Sequence, residues 1–442
     1  MSSPPDRARQ SVAAACARIE HAASGILIER VDPDRALAAA EQVDAAVSAG
    51  KHRPLAGRTL AVKGNIDVAG HRTTAGCPTF GAVAAHSAPA VRALEAAGAV
   101  VVAITNLDQF ATGLVGTRSP HGICPNAHWP ELVSGGSSSG SAVAVAQGLV
   151  DLALGTDTAG SGRVPAAANG IVGVKPTPGR VSTNGVVPAC RSLDCVSTFA
   201  RTVDDAALAA DLAAGYDASD PWSVRPDRPA PLTSPLRIGI PSSDALTFAG
   251  SASGAAQFAS AVEAILETTA GEPARVDLEP FLATGALLYD GAFVAERYAA
   301  VGAFVESNVD SVDPVVASII LAAGRLPAWK LARDRDELAR LRRASERTWA
   351  DCDVLVVPSV PRLPTVAEVL ADPLGPNAML GTYTNFVNLL GLCAVTMPVE
   401  EATTEGPPFS VTLIGPAWTD GLLVSAARRI SERGSPATLR IP

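Results

Sequence analysis

Two stretches rich in glycine and serine contain hydroxyl groups that could attack a carbonyl carbon. Residues 134–141 read SGGSSSGS, and residues 156–163 read TDTAGSGR. In isolation such a composition is typical of a flexible linker, but a helical pattern (AVAVAQ) and an apolar strand pattern (VDLALG) follow the first stretch directly. We therefore expect both stretches to form ordered turns. A serine in such a turn still needs a base to remove its proton.

A histidine cannot be the base of the usual nucleophile elbow in this chain, because none follows the serine-rich stretches. GSSSG at 136–140 fits the G-x-S-x-G nucleophile elbow, whose histidine follows the serine in the chain. All six histidines lie in the first 128 residues, so Ser138 is excluded as an elbow nucleophile. The P-loop and dinucleotide-binding patterns are absent from the sequence as well.

Lys63 is the remaining candidate base. It ends the apolar run TLAV and enters the turn GNIDVAG, so a dry pocket is one interpretation of its surroundings. To act as a base it must be neutral, and lowering a lysine pKa by about three units costs around 4 kcal/mol. From the residues alone, a lysine at the end of a strand is more often a surface charge.

The elements around these residues predict an α/β fold. Short β-branched runs alternate with helical stretches from Thr59 onwards, which favours one large domain with a mixed, mostly parallel central sheet and helices on both faces. A helix of about nine residues advances roughly 13 Å, and a strand of about five returns roughly 16 Å. The two serine-rich turns should therefore meet at one edge of the sheet, where ligands bind in open α/β folds.

The chain divides by composition into three parts. Residues 1–50 are rich in alanine and predict a helical segment, and residues 51–442 carry the α/β pattern. Residues 219–235 contain five prolines and predict an excursion or linker. We expect no second C-terminal domain within this chain.

Composition excludes several classes of function. A net charge of −9 over 442 residues argues against nucleic acid as a partner. The histidines show no metal-ligand spacing and the seven cysteines form no CxxC pair, so we predict neither metal nor cofactor. The N-terminus lacks a signal-peptide pattern, and the uncharged window 373–399 is interrupted and too short to span a bilayer. We predict a cytoplasmic protein without a membrane partner.

From about Leu60 to Arg201 the sequence resembles the amidase signature family. The resemblance rests on the lysine of AVKGNID, the first serine after GG in GGSSSGS, and the serine of GTDTAGS. It implies a Ser–Ser–Lys triad in which Ser161 is the nucleophile. Ser137, which follows a cis peptide bond in the family, would relay the proton of Ser161 to neutral Lys63.

The resemblance also implies a role for the small residues before Ser161. Backbone N–H groups of Thr158, Ala159, Gly160 and Ser161 would bind the oxyanion of the tetrahedral intermediate. Losing one such donor typically costs about 2.7–4 kcal/mol. Asp157 would hold the turn by accepting backbone hydrogen bonds.

Other stretches resemble the allophanate hydrolase branch of this family nearly end to end. They read FATGLVGTRSP, VVPACRSLDCVS, LLYDGAFVAERYAAV and GTYTNFVNLLGLCAV. The resemblance implies a small anionic amide as substrate, with Tyr289 and Arg297 binding its carboxylate. Eight residues apart on one helix, the two would be separated by about 12 Å of axial rise. Gly64 departs from the family, which usually has aspartate there, and many allophanate hydrolases continue beyond the point where this chain ends.

Three alternatives remain open from the sequence. The first is an amidase for another small anionic amide, such as a carboxybiuret- or malonamate-like compound. The second is an amidotransferase subunit that feeds ammonia to a tRNA-linked substrate, which the acidic composition disfavours. The third is a catalytically silent scaffold, which the intact triad disfavours. The resemblance also makes the helical segment 1–50 a candidate contact for a homodimer.

Overall fold

The computed structural model describes residues 6–225, 235–399 and 409–433. Its strands are β1 (Leu27–Arg30), β2 (Thr59–Lys63), β3 (Val100–Thr105), β4 (Leu152–Asp157), β5 (Val172–Lys175), β6 (Cys195–Ala200), β7 (Arg237–Pro241), β8 (Glu272–Val276), β9 (Val354–Pro358), β10 (Cys393–Pro398) and β11 (Ser410–Gly415). Its helices are α1 (Arg7–Glu20), α2 (Pro33–Ser48), α3 (Pro89–Ala96), α4 (Ser139–Ala146), α5 (Val164–Ala168), α6 (Val203–Ala213), α7 (Gly254–Thr269), α8 (Glu279–Ala286), α9 (Ala295–Ser307), α10 (Pro314–Ala323), α11 (Ala328–Ser345), α12 (Thr348–Asp351), α13 (Val366–Ala371), α14 (Gly375–Leu380), α15 (Asn385–Leu389) and α16 (Asp420–Arg433).

These strands form one sheet in the order β1-β3-β2-β4-β6-β5-β10-β11-β9-β7-β8. Every residue of β2, β3, β4 and β6 is buried, so both faces of the sheet are covered there. Helix α4 packs against β2, β3, β4 and β6. Helix α6 packs against β4, β5 and β6, and α16 packs against β10 and β11. The predicted α/β domain with a mixed sheet flanked by helices is confirmed.

The expected majority of parallel strand pairs is wrong. Among the described residues, four of the ten pairs are parallel and six are antiparallel. A continuous apolar run indicates only that both faces of a strand are covered, and it carries no information about the direction of the neighbouring strand. Between β5 and β6 the chain forms no crossover helix, and this pair runs antiparallel.

The parallel pairs that matter for the site are β2 with β3 and β2 with β4. Their common direction puts the ends of β2 and β4 at the same edge of the sheet. Lys63 is the last residue of β2, and Asp157 is the last residue of β4. The second serine-rich turn begins at the end of β4, and the first reaches the same edge where Ser137 contacts Lys63.

The first fifty residues contain a strand in addition to the expected helices. Helices α1 and α2 pack against each other and against β3. Between them, β1 adds an antiparallel edge strand to β3. Its four residues are half-buried or exposed, so their polarity gave no strand pattern. Of the proline-rich stretch 219–235, residues 226–234 lie outside the described residues.

Within the described ranges, no single helix is long and apolar enough to cross a bilayer. The segments Pro314–Ala323 and Ala328–Asp351 pass that test of length and composition only as a pair bent by 92°.

Candidate active site

Lys63 is fully buried at the end of β2. Its Nζ atom donates hydrogen bonds of 2.7 Å to Ser137 Oγ and of 2.7 Å to Thr156 Oγ1. The first contact joins two of the residues that the resemblance selects, which lie 74 positions apart in the chain. Thr156 was not predicted to take part, although its hydroxyl precedes Asp157 in the second serine-rich turn. Two hydroxyl groups therefore hold the amine in one position.

Burial lowers the pKa of Lys63 from 10.5 to about 7. The carboxylates of Asp108, Asp194 and Asp157 act in the opposite direction, and Arg297 lowers the pKa further. Desolvation is the largest cause, because an ammonium ion without water is strongly disfavoured. At neutral pH a large fraction of Lys63 is the free amine, which can accept a proton from Ser137.

Ser137 lies in a loop that is tied to the residues after β3. The peptide bond between Gly136 and Ser137 is cis, as the resemblance implies. The carbonyl oxygen of Ser137 accepts a hydrogen bond of 3.2 Å from the backbone N–H of Asp108. The Asp108 carboxylate in turn accepts backbone hydrogen bonds from residues 115, 116 and 118. Asp108 thus joins the Ser137 loop to the 110–120 segment, a role that sequence spacing did not indicate.

The two serine-rich turns are in direct contact. Ser138 Oγ donates a hydrogen bond of 3.1 Å to the carbonyl oxygen of Thr156 and accepts one of 3.3 Å from its backbone N–H. The predicted path out along α4 and back along β4 therefore brings the turns together. Ser161 lies in the second turn and is 3% exposed. Its hydroxyl makes no hydrogen bond to any residue in the described part of the chain.

A buried ion pair holds the turn that carries Ser161. Asp157 and Arg163 are both fully buried, with 2.8 Å between Asp157 Oδ1 and Arg163 Nη2. Burial raises the pKa of Asp157, but the Arg163 guanidinium outweighs it and the net pKa is lowered. Asp157 also accepts a hydrogen bond of 2.9 Å from the backbone N–H of Gly162, as expected for a residue that fixes the turn.

Arg163 connects this turn to the C-terminal half of the chain. It donates hydrogen bonds to the carbonyl oxygen of Thr384 at 2.9 Å and to Asn388 Oδ1 at 2.8 Å. Asn388 Nδ2 in turn donates to the carbonyl oxygens of Asp157 and Leu193. Sequence reasoning missed this network. The only local signal was an arginine six positions after an aspartate in GTDTAGSGR.

The backbone of Thr158, Ala159, Gly160 and Ser161 has the features expected of an oxyanion site. Across the described residues, none of their N–H groups donates to a protein acceptor. Gly160 has φ of 144°, and a Cβ atom there would overlap Thr384 Oγ1, so only glycine fits. Thr158 Oγ1 donates to Asp194, whose pKa is raised by burial. Buried N–H groups without a partner are rare in proteins. Because these four have no acceptor within the described residues, they are available to donate to an oxygen atom of a bound substrate.

Arg297 is 2% exposed and lies close to the same site. Its Nη1 atom donates to the carbonyl oxygen of Ala111 at 3.2 Å and to Thr112 Oγ1 at 3.0 Å. Burial lowers its pKa, but the electrostatic attraction of Tyr289, Cys190 and Asp194 outweighs burial and the net pKa is raised. Arg297 therefore remains a cation in a site from which water is largely excluded.

Tyr289 and Arg297 do not share a helix, and the expected helical spacing is wrong. Helix α8 ends at Ala286, α9 begins at Ala295, and turns connect them. A Cβ atom at Gly291 would overlap the carbonyl oxygen of Leu287, and Asp334 accepts a hydrogen bond of 2.7 Å from the backbone N–H of Ala292. A carboxylate 42 residues away thus stabilises the break. The turn nevertheless places Tyr289 close enough to the Arg297 guanidinium to raise the pKa of Arg297.

Tyr289 also lines a cavity of about 670 Å³. Its lining also includes residues 381, 382 and 385, which flank Thr384, the residue that packs against Gly160. The lining residues are Leu282, Gly285, Ala286, Tyr289, Asp290, Gly291, Val294, Ile319, Ala322, Ala323, Leu326, Lys330, Leu374, Asn377, Ala378, Gly381, Thr382 and Asn385. Of the predicted site residues, Tyr289 is the one that lines this cavity.

At Gly64, where this chain departs from the family, the Ile28 side chain occupies the space that a larger residue would need. A Cβ atom at residue 64 would lie 2.6 Å from Ile28 Cδ1 and 3.2 Å from the carbonyl oxygen of Thr105. An aspartate there would have to displace the Ile28 side chain. Local support of Lys63 in this chain comes instead from Ser137 and Thr156.

Residues 6–225, 235–399 and 409–433 contain no cluster of three or more histidine, cysteine, aspartate or glutamate side chains that could hold a metal ion.

Comparison with known proteins identifies the family. Residues 10–424 match the amidase family. The urea amidolyase of Lachancea kluyveri is 44% identical over 379 residues, which cover 85% of this chain and 21% of that protein. This chain therefore spans about a fifth of the urea amidolyase that it matches. The A subunit of the glutamyl-tRNA(Gln) amidotransferase from Anaeromyxobacter sp. strain K is 34% identical over 442 residues, which cover 92% of this chain and 88% of that subunit.

Solved structures agree with the sequence matches. Selenomethionine-substituted allophanate hydrolase from Kluyveromyces lactis has a TM-score of 0.92 and 38% identity, covering 99% of this chain and 72% of that chain. The fold and the hydrogen bond from buried Lys63 to Ser137 agree with the family match over residues 10–424. This chain belongs to the amidase family.

Proposed function

We propose that this protein hydrolyses allophanate, cleaving its ureido C–N bond and releasing ammonia. The observation that carries the proposal is the buried Lys63 amine, 2.7 Å from Ser137 Oγ, with its pKa lowered to about 7. Such an amine can serve as a general base where no histidine is present. The similarity to an allophanate hydrolase at 38% identity and to a urea amidolyase at 44% identity supports the choice of substrate.

The first half of the reaction forms an acyl-enzyme. Ser137 passes its proton to neutral Lys63 as it takes the proton of Ser161, and Ser161 Oγ attacks the terminal ureido carbonyl. The N–H groups of residues 158–161 stabilise the oxyanion. When the intermediate collapses, the C–N bond breaks and the proton returns through Ser137 to the leaving nitrogen, which departs as ammonia.

The second half restores the enzyme. Water, deprotonated through the same two residues, attacks the acyl carbonyl and releases Ser161. The product is N-carboxycarbamate, which decarboxylates to carbon dioxide and further ammonia. No step needs a metal or a cofactor, because the triad supplies the proton transfers.

Arg297 and Tyr289 would bind the substrate carboxylate. Arg297 Nη1 is held by Ala111 and Thr112, which fixes the guanidinium and leaves its other N–H groups for Tyr289 and for an anion. An arginine can bind a carboxylate through two parallel hydrogen bonds. A neutral amide such as acetamide lacks this anchor, so the arrangement favours a small anionic amide.

Ammonia release from a panel of amides tests the proposal. The panel contains allophanate, biuret, malonamate and acetamide, assayed with the wild type, Ser161→Ala and Arg297→Met. The exposed Arg340, which pairs with Glu337 on the surface of α11, gives a matched control as Arg340→Met. We expect allophanate to be the best substrate, Ser161→Ala to be inactive, and Arg297→Met to lose at least a hundredfold in kcat/KM for allophanate but little for acetamide.

Two outcomes would overturn it. If the wild type releases ammonia from acetamide as fast as from allophanate, the substrate is wrong. If Ser161→Ala keeps full activity, the mechanism is wrong. Malonamate or biuret turned over faster than allophanate would instead favour an amidase for another small anionic amide. Co-purification with tRNA would favour the amidotransferase function.

We also propose, from the resemblance, that two copies pair through residues 1–50 and that the protein works in the cytoplasm. In this structure α1 and α2 pack together and against β3, next to the edge strand β1, and that edge would lie near the dimer contact. Light scattering of the intact chain and of a variant lacking residues 1–50 tests the pairing. Cell fractionation tests the location. A monomer at micromolar concentration, or a membrane-associated fraction, would contradict these proposals.

A further inference from the structure

One side-chain amide on the wall of the cavity has no partner in the described part of the chain. Asn385 makes no side-chain hydrogen bond, and its Oδ1 atom is buried without a partner. A buried polar atom left unpaired typically costs about 1–3 kcal/mol, so such a group needs an explanation. Exchanging the positions of Oδ1 and Nδ2 would not remove the problem, because neither atom has a protein partner.

Asn385 has a connection to each of the two parts of the proposed substrate site. Its neighbour Thr384 packs against Gly160 of the oxyanion turn, and the carbonyl oxygen of Thr384 accepts a hydrogen bond from Arg163. Asn385 and Tyr289 line the same cavity. Asn385 therefore directly follows the residue that packs against Gly160, and it lines the cavity that Tyr289 also lines.

The position suits one particular atom of the substrate. In allophanate a bridging N–H lies between the carboxylate, assigned to Tyr289 and Arg297, and the carbonyl, assigned to the oxyanion turn. We propose that Asn385 accepts a hydrogen bond from this bridging N–H and so selects ureido substrates over analogues with a methylene group in its place. This assignment rests on the proposed function and extends it to a specificity-determining residue.

Part of the wall around Asn385 cannot compete for the bridging N–H. Ile319, Ala322 and Leu326 line the cavity with hydrocarbon, and Asn377 Oδ1 already accepts a hydrogen bond of 2.8 Å from the backbone N–H of Leu114. Malonamate has the same carboxylate and the same terminal amide as allophanate, but a methylene in place of the bridging N–H. With malonamate bound, Asn385 would stay unpaired, and sites built to bind an N–H discriminate strongly against ligands that lack it.

The test is the ratio of kcat/KM for allophanate to kcat/KM for malonamate. Asn385→Leu has a similar volume and no hydrogen-bonding group, and Asn385→Ala serves if the leucine variant fails to fold. Thr382→Val is the matched control, because Thr382 is on the same wall and its hydroxyl donates to the carbonyl oxygen of Met379. We expect the ratio to fall at least tenfold in both Asn385 variants and to stay unchanged in Thr382→Val. Thermal unfolding reports whether the variants are folded.

The outcomes separate this inference from the proposed function. If the wild type does not hydrolyse allophanate, both fall together. If the wild type hydrolyses allophanate and the Asn385 variants keep the wild-type ratio, or lose activity on both substrates equally, only the role of Asn385 is refuted. A merely structural role would lower both activities in parallel, so the ratio is the decisive readout.

Discussion

Replacing Lys63 with methionine is expected to stabilise the protein at pH 7, and to stabilise it less at pH 9. The pKa of Lys63 is lowered from 10.5 to about 7 by burial, so between these values the unfolded chain binds a proton that the folded chain does not. Wherever the unfolded state binds more protons, stability rises with pH. The cost of burying this lysine is therefore full below about pH 7, and it disappears above about pH 10.5.

The magnitude follows from the two pKa values. With 10.5 in the unfolded state and about 7 in the folded state, the cost is about 4 kcal/mol at pH 7 and about 2 kcal/mol at pH 9. Methionine removes this cost and also removes the hydrogen bonds to Ser137 and Thr156. The loss of those bonds is nearly independent of pH. The advantage of the variant over the wild type should thus shrink by about 2 kcal/mol between the two pH values.

Urea unfolding of the wild type and of Lys63→Met at pH 7 and pH 9 measures this change. Other groups titrate in both proteins, so their contributions cancel in the difference. Lys51→Met, which removes an exposed lysine, is the control and should show almost no change in its difference from the wild type. If the difference for Lys63→Met is the same at both pH values, Lys63 keeps an ordinary pKa and the argument for a neutral base is refuted.

Three further predictions concern the same site. The kcat/KM for allophanate should rise about tenfold per pH unit below pH 7 and level off above pH 8, because only neutral Lys63 can accept a proton; a pH–rate profile that is flat from pH 6 to 8 would contradict this. Arg163→Met should lower the free energy of unfolding by about 3–5 kcal/mol, since it leaves the fully buried Asp157 without its partner. Urea unfolding at pH 7 measures this loss, and a loss below about 1 kcal/mol would contradict the prediction. Gly160→Ala should reduce kcat at least a hundredfold, because its Cβ would push the oxyanion turn away from Thr384; steady-state kinetics near wild-type values would show that the turn tolerates the shift.

Sequence spacing was sufficient to predict where the two serine-rich turns meet. A helix of known rise and a strand of known length bring the chain back to its starting edge, and the contact between Ser138 and Thr156 agrees with that path. Spacing could not select Ser137 over Ser138, or show that Lys63 is buried. Those choices came from the resemblance, and the 2.7 Å contact between Lys63 and Ser137 is consistent with them.

The residues that sequence reasoning missed have long-range partners. Arg163 is held by Thr384 and Asn388, more than 220 positions away, and no local pattern encodes such a pairing. The break between α8 and α9 depends on Asp334 in the same way. The direction of neighbouring strands was also unpredictable from apolar runs, because burial on both faces is compatible with parallel and antiparallel pairing.

The three carboxylates near Lys63 explain how a fully buried lysine reaches a pKa close to neutrality rather than one far below it. Each carboxylate is needed elsewhere: Asp108 accepts backbone hydrogen bonds from the 115–118 segment, Asp157 pairs with Arg163, and Asp194 accepts from Thr158. Each one also raises the pKa of Lys63 against desolvation. A general base works best when its pKa is near the working pH. The groups that fix the loops of the site therefore also set the proton affinity of its proposed base, and a change in one property cannot be made without changing the other.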